Sequence, residues 1–305
     1  MQARVIKIVC AVIFLAIGTM AFTSSTTSQN TYATFPTDQK EDVMSLPAYL
    51  ASADGLEMNP CSMENTAFQH EEILTYKIYY NWNFIWIPAG EVMFKVTDEG
   101  DQYHLSAKGK TYSSYEWFFK VRDNYDTYID KETLLPTVGI RDVHEGNYTL
   151  YDKVTFDQDR QKTISVRGSH KDKTILREFD VDACMHDVLS IVYYTRNINF
   201  DYMDKGDKFP IQIFMDKQSW PLRVKYKGKR EQTKVKGSGS YKTIKFSPEV
   251  ISGEVFEEDT EMNIWATDDQ NKIPVLIESP VSVGSVKVVL DGYANLRYPM
   301  TAKID

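Results

Sequence analysis

From Glu72 onward the chain alternates apolar and polar residues in short runs, separated by Gly, Asp and Asn. A period of two marks a strand that buries one face, because successive side chains point to opposite sides of a sheet. The pattern predicts strands at 74–80, 90–96, 103–107, 125–129, 137–143, 148–156 and 162–166, with turns at 98–101, 130–132, 145–147 and 157–159. It resumes at 208–215, 222–227, 241–246, 254–265, 275–278 and 286–290. Between the two series, Asp187 is a good N-cap, and Val188, Ile191, Val192 and Thr195 recur at helical spacing. A helix this short and apolar predicts a plug or cover for a sheet. The fold class that follows is mainly β: an antiparallel, barrel-like or strongly curved sheet with one short packed helix. No repeat or linker divides residues 66–298, so a single domain is expected there, with a tail at 299–305.

The first 65 residues obey other rules. Arg4 and Lys7 precede an apolar run over 8–17, and Thr19-Met20-Ala21 offers small residues at the two positions a signal peptidase inspects. This layout predicts a secretory signal over 1–21, with a signal anchor as the alternative. A spanning helix needs about 20 apolar residues, whereas polar Ser/Thr-rich chain begins at Thr23. No stable transmembrane anchor is therefore expected, and Cys10 lies too early, without a lipobox, for a lipoprotein. Residues 22–65 read as a tether with a short helix at 46–53, capped by Ser45 and presenting Leu46 and Leu50 on one face.

Charge narrows the partners. The net charge of −8 becomes −10 when the leader leaves, because it takes two basic residues, Arg4 and Lys7, and no acid. Such a chain has no reason to seek nucleic acid, whose binding is dominated by phosphate neutralisation. The 13% aromatic content, 19 Tyr included, favours half-buried pleated surfaces and supports the β reading. Cys61 and Cys184 are the two cysteines of the mature chain, and an even pair in an oxidising compartment predicts a disulfide, with two unpaired thiols as the alternative if their Cα atoms do not approach.

Candidate chemistry is sparse. Asp182, Cys184 and His186 alternate as metal ligands would, but no fourth ligand sits at a familiar spacing. A half-cystine, a surface histidine and a helix cap explain them better, and no metal is expected. Arg141 to Glu145 read as a solvated hairpin end. No Gly-x-Ser-x-Gly elbow, phosphate loop or dinucleotide fingerprint occurs, so no cofactor is expected and catalytic residues are unknown. Arg223, Lys225, Lys227 and Lys229 recur at period two and would share one strand face, opposite Leu222, Val224 and Tyr226. They form either a patch for an anionic glycan or lipid or a guarded sheet edge. Trp82, Phe84 and Trp86 alternate as well, and Tyr112, Tyr115, Trp117 and Phe118 cluster later. Either set suits a ligand platform, with Trp82 and Trp86 as its candidates, or simple core.

Several stretches together resemble a known family: 74–80 followed by Pro88-Ala89-Gly90-Glu91, 123–130 with Leu134-Leu135-Pro136, Asp187-Val188-Leu189-Ser190 with 193–196, and 265–269 with Ile273-Pro274-Val275 and Gly284-Ser285-Val286. Their order and spacing are similar to the exported bacterial family catalogued as domain of unknown function 3108, over roughly residues 66–298. The resemblance implies an envelope protein with a largely antiparallel, barrel-like fold, and it carries over no catalytic residue. The expected function is non-catalytic binding or handling of a glycan or lipid. The alternatives are a hydrolase of envelope polymers, whose mark would be two close carboxylates, and a structural partner in an envelope assembly. Protein recovered from the envelope fraction is predicted to begin just after Ala21. Its intact mass checks this, and a full-length chain extracted from the membrane would refute it.

Overall fold

The computed structural model describes residues 61–82, 85–117, 119–248, 261–280 and 285–304. The leader, its cleavage site and the short helix expected at 46–53 lie outside the described residues. Eight antiparallel strands follow one another from the N-terminal side: β1 (Ile73–Trp82), β2 (Ile85–Glu99), β3 (Gln102–Thr111), β4 (Val121–Asp130), β5 (Pro136–Glu145), β6 (Tyr148–Asp157), β7 (Lys162–His170) and β8 (Lys173–Asp180). The two-residue β9 (Met185–His186) and helix α1 (Ser190–Thr195) come next. The chain then returns through β10 (Lys208–Met215), β11 (Gln218–Val235), β12 (Gly239–Pro248), β13 (Asn263–Thr267), β14 (Pro274–Pro280) and β15 (Ser285–Ala294).

All fifteen strands form one sheet in the order β8-β7-β6-β5-β4-β3-β2-β1-β15-β14-β13-β12-β11-β10-β9. The first strand therefore sits mid-sheet, paired antiparallel with the last, Ile73 opposite Ala294 and Asn81 opposite Ser285. The edges, β8 and β9, are consecutive in the chain, separated only by residues 181–184. A flat sheet of this width would hold its edges about 65–70 Å apart. The connection from Asp180 to Met185 reaches about 18 Å at full extension. The sheet has to curl, and the barrel-like shape read from the hairpin rhythm follows.

The curl closes by side chains. Val154, Phe156, Val181, Met185 and Phe214 form a buried cluster, with the Phe179 and Phe214 rings 5.4 Å apart. Gln158 Nε2 donates to the carbonyl of Met185 at 2.8 Å. One end of the barrel is stoppered by residues 61–72, α1 and the C-terminal segment. Asp187 caps α1 as expected: its Oδ1 accepts from the backbone N–H of Leu189 at 3.2 Å and Ser190 at 2.7 Å, while Ser190 Oγ accepts from Asp187 N at 3.0 Å. Arg196, one residue past α1, forms a bidentate pair with Glu72 at 2.6 and 2.9 Å, and both side chains are buried. Phe68 packs edge-on against Tyr193 at 5.0 Å.

Two boundaries shift. Cys61, Met63 and Asn65 are buried, so packing begins inside the stretch read as tether. Residues expected as a tail also pack: Ala302 is buried, its carbonyl accepts from Lys242 N, and Ile304 N donates to Ser240 O, each at 2.8 Å. Strand β8 was not legible because six of its eight residues are exposed, leaving little alternation to read. The expected Cys61–Cys184 disulfide is present, with Cα atoms 5.1 Å apart. It ties the chain's crossing between the two sheet edges to the N-terminal stopper. Its 123-residue separation corresponds to about 4–5 kcal/mol in the chain-entropy account. Replacing both cysteines by Ala is predicted to lower unfolding free energy by that order in a denaturant titration; an unchanged midpoint would contradict the assignment.

Candidate functional site

Helix α1 does not fill the space beneath it. A cavity of about 80 Å³ lies between α1 and the inner face of the half-barrel from β2 through β1 and β15 to β12. Leu74, Phe94, Val192, Phe246, Ala266 and Val288 are among its walls. Inner-face positions on these strands are apolar because alternation puts Leu74, Tyr76 and Ile78 on one side of β1 and Lys77 and Tyr79 on the other. Among the described residues, polar groups line the cavity only at Thr195, Arg196, Lys272 and the two tyrosines, Tyr76 and Tyr193. Arg196 is committed to Glu72, and Thr195 Oγ1 donates to Val192 O at 3.0 Å.

The opposite half-barrel is polar inside. On β4, Asp123, Tyr125 and Thr127 occupy inward positions between Val121 and Ile129; on β5 the inward set includes Arg141, Val143 and Glu145. Arg141 and Arg167 each bond Asp152, at 2.7 and 2.6 Å, and Asp216, at 2.9 and 2.7 Å. Asp216 lies in the β10–β11 turn, so this four-residue ionic cluster crosses the seam of the barrel. Burial opposes ionisation of Asp152 and Asp216, but the two guanidiniums outweigh it and hold both carboxyls below the usual range. Asp123 lacks such a partner. Burial first, and the neighbouring Glu145 second, push its carboxyl up to about 9. Thr127 Oγ1 donates to Asp187 Oδ2 at 2.5 Å, and a Cβ at Gly139 would meet that same oxygen at 2.5 Å, so Gly139 is required for the approach. Asp123 and Glu145 are the close carboxylates that a hydrolase would need. They are 1% and 6% exposed.

The family model for proteins of unknown function designated DUF3108 matches residues 75–291. The chain belongs to this family. No curated protein matches the sequence. Among solved structures, a beta-barrel-like protein of domain of unknown function DUF1849 from Brucella abortus aligns at 10% identity and TM-score 0.49, over 75% of this chain and 99% of that one. A putative exported protein with a YmcC-like fold from Bacteroides fragilis aligns at 11% identity and TM-score 0.31, over 77% and 100%.

Within this DUF3108 domain the residues singled out from sequence are dispersed. Arg223 and Lys225 lie exposed on β11, but a bulge at Lys227 and Gly228, where Gly228 has φ +86°, breaks the alternation. Lys229 consequently sits opposite buried Ile244 and pairs with Asp201 at 3.0 Å and Asp268 at 3.2 Å, while Lys227 pairs with Glu261. The four cations do not share one face. Trp86 lies on β2, six strands away, with Lys287 Nζ 4.5 Å from its ring centre. Trp82 ends β1, and its side chain, like Phe84 and Phe118, is outside the described residues. Trp117 is 83% exposed and therefore not core.

His186 corrects the surface reading. It is buried, 3.1 Å from Ser190 Oγ and packed at a tilt against Tyr194, with the ring centres 4.5 Å apart. Arg141 to Glu145 are no solvated hairpin end either, since alternate members face the interior. The missed signal was Asp123, Arg141 and Glu145 standing in phase with buried Val121, Tyr125 and Val143. Among the described residues no group of three or more His, Cys, Asp or Glu is arranged for a metal ion.

Two of the buried titrating groups, Asp123 and His186, give opposite pH slopes. Asp123 binds its proton more tightly folded than unfolded, so its contribution falls as pH rises from 3.8 to about 9. Burial pushes His186 from 6.5 down to about 3, so its contribution is lost as pH falls through that window. Of these two groups only the carboxyl acts above pH 7. Stability is predicted to fall between pH 7 and 9 by up to about 1.4 kcal/mol per pH unit, and Asp123→Asn to flatten that slope and raise the melting temperature at pH 8. Parallel melting curves for both proteins would refute the assignment.

Proposed function

We propose that this chain is an exported, non-catalytic binding protein that holds the apolar part of an amphipathic ligand beneath α1. The cavity carries the reading. It is enclosed by a rigid sheet on one side and by a capped, ion-paired helix on the other, and its walls are apolar apart from a few positions at α1 and the β13–β14 turn. Preformed apolar cavities with few polar groups are the usual form of small-ligand sites. Export is supported by the leader and by a disulfide of the kind that persists in oxidising compartments. Among the described residues no helix is long and apolar enough to cross a membrane. The enzyme reading is disfavoured because the close carboxylates Asp123 and Glu145 are buried inside the other half-barrel.

Native mass spectrometry of protein purified from its own envelope is expected to show an added small-molecule mass. Ala266→Leu, which fills the cavity from β13, is expected to remove that mass while keeping the melting temperature at or above the wild-type value. An apo mass for the wild type, or an adduct that survives the filled cavity, would refute the proposal.

A further inference from the structure

The cavity's polar positions are not equivalent. Arg196 is neutralised by Glu72, and the Thr195 hydroxyl is spent on the helix backbone. Lys272 differs. It stands half-buried in the turn between β13 and β14 and lines the cavity. Among the described residues its ammonium makes no ion pair and no hydrogen bond. The acids around it are engaged elsewhere. Asp201 and Asp268 hold Lys229 at 3.0 and 3.2 Å. Asp269 accepts from Thr267 Oγ1 at 2.7 Å and from the backbone N–H of Asn271, Lys272 and Ala302 at 3.1, 3.3 and 3.2 Å.

Those Asp269 bonds also fix the lysine. They hold the turn closed and keep Lys272 in the left-handed region at φ +46°, so its Cα is positioned before any ligand arrives. A second unmet group stands in the same wall. The Tyr193 hydroxyl is buried without a hydrogen-bond partner, a state that costs about 1–3 kcal/mol unless an acceptor reaches it. Burial lowers the Lys272 pKa, and the nearby Asp201 and Asp269 carboxylates offset this only in part.

We propose that Lys272 is the head-group anchor of this cavity, and that the ligand is a single-chain amphipathic anion whose chain lies against α1 and whose carboxylate or phosphate meets the Lys272 ammonium. This rests on the cavity being a ligand site. It adds the sign of the head group and the residue that reads it. Other anchoring cations are excluded by position: Arg223 and Lys225 are exposed on β11 and do not line the cavity.

Octanoate and 1-octanol share one chain length and differ in the charge of the head group, so titrating both separates the anchor from the cavity. The wild-type protein is expected to bind octanoate about tenfold more tightly than 1-octanol, as one charge-assisted contact allows. Lys272→Met should bring the ratio close to one, leave octanol binding unchanged and keep the wild-type melting temperature. Lys272→Arg should restore the preference. Equal binding of the two ligands by the wild type, or a preference that survives Lys272→Met, overturns the anchor while leaving the cavity standing. Binding of neither ligand overturns the cavity reading itself, and the anchor with it.

Discussion

The architecture depends on one connection. Because β8 and β9 are neighbours in the chain and opposite edges of the same sheet, residues 181–184 draw fifteen strands into a ring. The ring does not close by a hydrogen-bonded ladder. It closes through the Phe156–Phe179–Phe214 cluster and through the arginine–aspartate square that joins β5, β6 and β7 to the β10–β11 turn. Cys184 lies within that connection, so the disulfide to Cys61 holds the seam and the stopper together. A junction that carries so much strain of topology is a sensible place for a covalent tie.

Closure also divides the interior. The half-barrel of β12 to β15 with β1 and β2 is apolar and holds a cavity, whereas the half built from β4 to β7 is threaded by charge. The difference matters energetically. Buried charges demand partners in fixed geometry, and breaking one such pair typically costs about 3–5 kcal/mol. The polar half is thus a rigid frame whose groups specify each other's positions. The apolar half is held by non-directional burial, which leaves room for a cavity beneath α1. A ligand site is better accommodated in the second kind of interior than in the first.

Helix α1 belongs to both halves. At its N-terminus Asp187 is fixed by Thr127 from β4 and needs Gly139 on β5 to approach. At its C-terminus Arg196 is fixed by Glu72, just before β1, and donates to Asn271 O at 3.0 Å. Six residues are too few for a helix to be stable alone in water. Anchored at both ends, α1 becomes a fixed lid over the cavity, and the roof of the site inherits its position from the polar frame.

Much of this could be read along the chain. Period-two alternation located most strands, because one face of each is buried, and Asp187 with Ser190 marked the start of α1 through local bonds only. The cysteine count led to the disulfide. Strand β8 could not be read, since both its faces are largely exposed and alternation vanishes. The β11 bulge was equally silent: one extra residue at Lys227 shifts the register so that Lys229 stands opposite Ile244 and pairs with Asp201, although the spacing of the lysines is perfectly regular. Asp123 and Glu145 showed charge in phase with apolar neighbours, but only the curled sheet decided that no arginine would reach Asp123 as Arg141 reaches Asp152. Lys272 carried no signal at all. Local periodicity and capping depend on neighbours in sequence and are therefore written there, whereas a cavity, an unpaired amine and a buried carboxyl with a raised pKa depend on which distant strands the closing of the sheet brings face to face.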